Sequence, residues 1–401
     1  MTRHKMMQGE YDPPVPTRIV FGNGKTDSLR EEIQKLGGKR ALILSGRSVA
    51  DKTESVQRVE NFLGGVSVAA YAGLTQRAPL AAAVEAANMA TDAGVDTLIG
   101  VGGSTISDAA RMIAVLMAEG ITTVEQLRYL GEENDLMLSP DLDEHKLPLQ
   151  VSIPTTLSAG EFNMGGGNVI DDEAGHKIRA RHARLYADLI VLDPVMTEGT
   201  PDWLWLSTGV KALDHCIERL YTTGNQPAVD APVLAAAETI FTNLPKSRQS
   251  NNDPEARLQC LIAAWMSMMG APNFATGLSH AIGHILGVKY SVGHGYTSCV
   301  TQPYVMEFNR AVSADKQALL ARSAGLNTRG MSAEASAEAV ARAVDDFVLG
   351  MGLPHRIRDL EIPESDLPEI ARLVLTDGGC RDNPMPITST DQVMEVLKKA
   401  F

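Results

Sequence analysis

Short β-rich runs alternate with helix-like stretches through the first half of the chain. The runs are RALILS (40–45), VSVAAY (66–71), DTLIGV (96–101), LQVSIP (149–154) and LIVLD (189–193), with a further strand at TRIVFG (17–22). Ala-, Leu- and Met-rich segments such as 79–93 and 106–118 lie between them. Strands spaced by helices predict βαβ units and a mostly parallel sheet, with TRIVFG and a hairpin over 165–178 at its edges. After about residue 200 the β-rich runs give way to helical patterns at 228–243, 255–269 and 332–350. The Pro194–Pro201 stretch interrupts both textures, so the expected division is an α/β domain over 1–197 and an all-helical domain over 198–401.

Composition narrows the classes of function. The chain has 401 residues, 44% hydrophobic and 21% charged, which suits a two-domain globular protein. A net charge of −13 argues against general nucleic-acid or anionic-membrane binding, although a local basic site stays open. Cys216, Cys260, Cys299 and Cys380 are scattered and form no CxxC pair, which fits a reducing cytoplasm rather than a zinc ribbon or disulfide framework. The amino-terminal MTRHKMMQGEYDPP has no apolar secretory core, and no run approaches the roughly 18 apolar residues of a membrane helix. The expectation is a soluble cytoplasmic protein.

Two loops follow predicted strands. Gly102-Gly103-Ser104-Thr105 joins a strand to a helix, where amides and the helix N-terminus suit a pyrophosphate. It matches no GxGxxG spacing, and a tight turn that binds nothing explains it equally well. Asp108 and Arg111 follow in the first helical turns. Thr155, Thr156 and Ser158 lie in the second loop, where their hydroxyls suit a nicotinamide or ribose.

The helical half carries more signal. Lys211 and His215 are spaced i, i+4, as are His280 and His284, and His294 sits between two glycines. Four of the nine histidines thus occupy three short motifs that could converge on one cleft. An i, i+4 histidine pair suits a metal, but the same four residues suit a metal-free proton-transfer site.

In this order the motifs resemble the iron-containing (group III) alcohol dehydrogenase superfamily, which shares its fold with dehydroquinate synthase. The resemblance runs from about residue 15 to the C-terminus. It implies a Rossmann-like parallel-sheet domain followed by a helical catalytic domain, with a cleft between them. Gly102, Gly103 and Ser104 would hold the dinucleotide pyrophosphate, and Thr155 and Thr156 would lie beside the nicotinamide. His215, His280 and His294 would correspond to metal ligands, and His284 to the family's non-ligand histidine. A homodimer is the implied assembly.

The departures from that pattern direct the functional expectation. Lys211 stands where the family has a metal-ligating aspartate, four residues before His215. An ammonium offers no lone pair and repels a divalent cation. Asp214 is expected to point about 100° away around the helix and so to be a poor replacement. A site without catalytic metal is therefore favoured, with His215, His280 and His294 as the reserve metal set. The metal-independent branch it resembles is maleylacetate reductase, in which NAD(P)H reduces an anionic oxoacid. Lys211 would meet substrate charge, His284 would deliver a proton, and His215, His280 and His294 would line the chamber. The first long strand ends Ser45-Gly46-Arg47, with glycine where many members carry a ribose-binding aspartate, so NADPH is admitted beside NADH. The alternatives are a metal-dependent alcohol dehydrogenase, a dehydroquinate-synthase-like lyase and a catalytically silent binding protein. A basic run, Lys177, Arg179, Arg181 and Arg184, reads as a solvated loop that could border the site.

Overall fold

The computed structural model describes residues 16–75, 78–133, 137–138, 147–269 and 276–401. The amino-terminal segment discussed above lies outside them. The chain forms two compact units. One comprises Val15–Trp205 with Lys246–Trp265, the other Leu206–Pro245 with Met266–Phe401.

The strands of the first unit are β1 (Arg18–Phe21), β2 (Ala41–Ser45), β3 (Ser67–Tyr71), β4 (Thr97–Gly102), β5 (Met137–Leu138), β6 (Leu149–Pro154), β7 (Gly166–Asp171), β8 (His176–Arg181) and β9 (Leu189–Leu192). Its helices are α1 (Leu29–Lys35), α2 (Arg47–Lys52), α3 (Ser55–Leu63), α4 (Leu80–Asp92), α5 (Ser104–Glu119) and α6 (Val124–Glu133). Six strands form a wholly parallel sheet in the order β1-β9-β6-β4-β2-β3. Alternate strand residues serve opposite faces. Leu42, Leu44 and Leu98 pack under α4 and α5, while Ile43, Ile99, Val101, Val151 and Ile153 pack with α1 and α3. Both faces are covered, which explains why the strands read as continuous apolar runs.

The predicted hairpin exists, but at neither edge of that sheet. β7 and β8 pair antiparallel, and β8 joins β5 in a separate three-stranded sheet. β7 packs across α5 because Gly167 meets its backbone: a Cβ there would come 2.7 Å from Met112 N.

The mostly helical remainder runs through α7 (Asp202–Tyr221), α8 (Pro227–Asn243), α9 (Pro254–Ser267), α10 (Leu278–Tyr290), α11 (His294–Ser323), α12 (Ala333–Gly350), α13 (Leu367–Val374), α14 (Gly379–Asp382) and α15 (Thr390–Ala400). Leu278, Ile282, Val300, Val305, Ile370, Val374, Val393 and Leu397 form the core shared by α10, α11, α13 and α15. The break between units falls at Trp205 rather than near Pro194–Pro201, and Lys246–Trp265 belongs to the α/β unit. Polar bonds explain that allegiance. Trp205 Nε1 donates to Ser247 Oγ at 2.8 Å, and the Arg257 guanidinium covers the Trp205 ring and donates to Thr197. Such contacts are invisible to helical periodicity. Among the described residues, no helix is long and apolar enough to cross a membrane.

Candidate active site

Lys211, Asp214, His215 and Glu218 occupy positions i, i+3, i+4 and i+7 of α7, a stripe that normally carries apolar core residues. All four are buried. Lys211 Nζ lies 3.0 Å from Asp214 Oδ2, and the Ser298 hydroxyl of α11 donates to the same oxygen at 2.5 Å. His280 Nδ1 stands 3.5 Å from that oxygen and 2.6 Å from Glu218 Oε2. Glu218 also accepts the backbone N–H groups of Gly277 and Ser279 at 2.6 and 2.8 Å. Those donors open α10, so the carboxylate caps the helix that carries His280 and orients its imidazole.

This corrects the expectation for Asp214. The residue is fully buried and turned into the cluster, because three positions from Lys211 lies on the same face of the helix. Burial alone would raise its carboxyl, but the charges of Lys211 and His280 and the Ser298 hydroxyl outweigh this and hold it below the usual carboxylate range.

The four predicted histidines come together. The His215 and His280 rings stack at 5.2 Å between centroids, His284 lies 6.3 Å from His280, and His294 lies 6.1 Å from His284. The first two are buried and the last two exposed. Burial, with Arg219, His280, Lys211 and His294 adding to it, drives His215 well below the ordinary imidazole range, so it is neutral at pH 7. His284 Nδ1 lies 2.8 Å from Asp377 Oδ2.

The dinucleotide candidates lie on the α/β unit. Ser45 pairs in register with Val101, and Gly102 with Pro154, so β2, β4 and β6 release their loops side by side at the carboxyl ends of a parallel sheet. Thr155 N–H donates to Gly102 O at 3.0 Å, Ser104 N–H to Ser158 Oγ at 3.1 Å, and the Thr156 and Ser158 hydroxyls are 3.0 Å apart. Glycine is required where these loops touch. A Cβ on Gly103 would come 2.9 Å from Thr156 Oγ1, and one on Gly160 would come 2.8 Å from Ser104 Cα. Ser104 and Thr105 open the sixteen-residue α5. Asp108 is engaged elsewhere, accepting from Arg111 at 2.6 Å and from Asn168 at 2.8 Å. Gly46 precedes α2, and Arg47 is its exposed first residue.

Three further residues belong in this description. Glu218 and Asp377 hold histidines, and the i, i+7 spacing of Glu218 from Lys211 was a readable signal for the first. No local pattern marks Asp377, 93 residues from His284. The third, Glu161, is buried beside the glycine contacts with Oε2 unpartnered, and burial raises its carboxyl to about 7. The basic run forms strand β8 and the turn after it rather than a loop, and Arg184 pairs with Asp188.

Comparisons with known proteins agree with this layout. The iron-containing alcohol dehydrogenase model matches residues 16–194, and the model for the C-terminal part of the Fe-containing alcohol dehydrogenase family matches 205–401. Dehydrogenase ALT3 of Alternaria alternata is 30% identical, covering 91% of this chain and 99% of its own. The chain belongs to the iron-containing alcohol dehydrogenase family. It is an NAD-dependent oxidoreductase. The NAD-dependent methanol dehydrogenase of Bacillus methanolicus is 25% identical over 96% of this chain and 99% of its own. Among solved structures, a 1,3-propanediol oxidoreductase shares the fold with TM-score 0.88, at 24% identity over 98% of this chain and 100% of its own. The maleylacetate reductase of Agrobacterium tumefaciens has TM-score 0.79 at 22% identity over 99% of each chain, which again shows the fold.

The family name implies a divalent metal, and the donor set can be tested against it. His215 Nδ1 and His280 Nε2 are buried without partners among the described residues, which suits ligation. The group of acidic and histidine atoms clustered within 4.8 Å among the described residues is Asp214, Glu218 and His280, however, and it omits His215 and His294. Three of its four carboxylate oxygens already serve Lys211, Ser298, His280 and two backbone amides, and only Asp214 Oδ1 is left over among the described residues. With the Lys211 side chain 3.0 Å from Asp214, the residues present do not fit a family-type cation.

Proposed function

We propose that this member of the family is an NAD(P)H-dependent reductase of a small anionic oxoacid of the maleylacetate type, working without a catalytic metal. The observation that carries the reading is the buried Lys211–Asp214 pair inside the histidine cluster, with Lys211 read as replacing a metal-ligating aspartate of the family. The glycine turn and the Thr155–Ser158 loop hold the dinucleotide, and Arg47 beside a side-chain-free Gly46 admits a 2′-phosphate. A reduced nicotinamide bound by these loops would supply the hydride that adds to one carbon of the substrate's conjugated C=C. The electron pair of that bond moves onto the ketone oxygen as an enolate, which Lys211 stabilises. Collapse of the enolate takes a proton at the adjacent carbon, giving the saturated oxoacid and oxidised dinucleotide.

His284 is the proton donor in this scheme. Burial holds its imidazole below the ordinary range, a shift that the Asp377 carboxylate at Nδ1 offsets only in part, and its exposed edge exchanges protons with solvent. His280, oriented by Glu218, lines the same chamber with His215 and His294.

A second reading keeps a metal on His215, His280 and His294 and makes the protein an alcohol dehydrogenase. The partnerless nitrogens of His215 and His280 favour it. Elemental analysis of protein purified without added metal, with absorbance at 340 nm for maleylacetate and for simple alcohols, separates the two. The expected result is chelator-insensitive reduction of the oxoacid. Stoichiometric bound metal with chelator-sensitive alcohol oxidation would overturn the proposal.

A further inference from the structure

Arg219 takes no part in the scheme above, and its setting is hard to explain as packing. It lies one turn beyond His215, so Lys211, His215 and Arg219 follow one another at four-residue intervals along α7. Its side chain is 6% exposed. Its one side-chain hydrogen bond among the described residues runs from Nη1 to the Ser267 carbonyl at the end of α9, and Nε has no partner. No described carboxylate stands within ion-pair distance; Glu218 and Asp214 act on it only from farther off. Burial lowers the guanidinium to about 10, which leaves it cationic at neutral pH. A buried cation without an anion is costly, and breaking a buried pair by removing one partner typically costs about 3–5 kcal/mol.

The geometry points to a ligand as the missing partner. We infer that Arg219 is a second carboxylate anchor, taking the carboxylate of a dicarboxylic substrate that lies farther from the reacting carbons. Its charge already reaches the chamber, since it is the strongest charge acting on the His215 imidazole. Eight residues of helix separate the Cα atoms of Lys211 and Arg219 by about 12 Å, with His215 midway between them along the helix. That span suits a short chain with a charge at each end better than a monoacid or an aldehyde. A guanidinium also offers a planar fork for a carboxylate, which an ammonium does not. This inference rests on the anionic-oxoacid reading and names Arg219 as what makes it selective for diacids.

Calorimetric titration of the full chain, saturated with oxidised dinucleotide, tests it with adipate and hexanoate as probes. Wild-type protein should bind adipate at least about tenfold more tightly than hexanoate, and Arg219→Gln should abolish that ratio while leaving hexanoate affinity within about twofold. Arg219→Lys keeps the charge and should retain part of the preference, which guards against a Gln variant that folds poorly. A lower melting temperature in both variants with an unchanged adipate-to-hexanoate ratio would mean that Arg219 only caps α9, and would overturn the inference. So would a wild-type protein with no preference for adipate. If maleylacetate is not reduced while the adipate preference still depends on Arg219, the proposed reaction fails and the anion subsite stands.

Discussion

At the glycine turn, polar groups are largely satisfied by one another: Ser104 N–H on Ser158, the Ser158 hydroxyl against Thr156, and Thr155 N–H on Gly102. In the histidine cluster, Asp214 Oδ1, His215 Nδ1, His280 Nε2 and Arg219 Nε are all buried without partners among the described residues. The first region is shaped by close backbone approach, which needs absent side chains at Gly103 and Gly160. The second is shaped by side chains whose bonding capacity exceeds what the fold uses. Unmet bonding is expensive to maintain, and beside the glycine contacts its counterpart is Glu161 Oε2. A cofactor surface, by contrast, can be rigid and complete before anything binds.

The sharpest way to break this contrast is at Lys211. Lys211→Met should lower kcat/KM for the oxoacid by about 10²–10³-fold. It should also destabilise the protein by roughly 3 kcal/mol, because Asp214 is left buried without its cation. Steady-state kinetics and denaturant unfolding measure the two effects, and dinucleotide affinity should stay within about twofold. Unchanged oxoacid kinetics in a folded variant would detach Lys211 from the reaction.

His284→Gln comes next. It should reduce kcat by about 10²-fold with little change in KM, and should flatten the part of the pH–rate profile that reports the proton donor. A variant with an intact profile would move the proton donor elsewhere in the cluster.

Gly160→Ala probes the other region. A methyl group directed at the Ser104 backbone should cost about 1–3 kcal/mol and weaken dinucleotide binding, while adipate affinity in the helical unit is preserved. Equal losses at both ligands would show that the two regions do not separate.

Glu161 gives the smallest and most pH-dependent effect. Its folded-state pKa, about 7, is raised from an ordinary value of 4.5, so the folded chain holds a proton that the unfolded chain releases between those values. Stability should therefore fall as pH rises from about 4.5 to about 7, by an amount on the order of 2–3 kcal/mol. Glu161→Gln should remove that slope, as followed by melting temperature across pH. A wild-type curve that is flat through this window would place Glu161 in better-solvated surroundings.

The parallel sheet and its attached loops were legible because βαβ alternation is a local pattern. Strand β6 begins and ends where its apolar run does. The hairpin was legible as a hairpin but not as a separate sheet, because strand periodicity does not specify a partner. Within α7, Lys211 and His215 stand out at i, i+4, whereas the place of Asp214 depends on its i, i+3 relation to Lys211. The i, i+3, i+4, i+7 stripe contained both it and Glu218. Asp377 and Ser298 left no trace, since each meets its partner through packing of elements more than 80 residues apart.

By itself, then, the sequence determined the alternation of elements, the loops at the strand ends, the grouping of the histidines and the four-residue spacing of Lys211 from His215. All of these depend on residue type and short-range spacing. Only the tertiary structure decided that Lys211 is matched by Asp214, that Glu218 orients His280, and that Arg219 lies buried without an anion among the described residues. Those outcomes depend on which polar atoms from distant segments reach one another once water is excluded, and no periodicity encodes that.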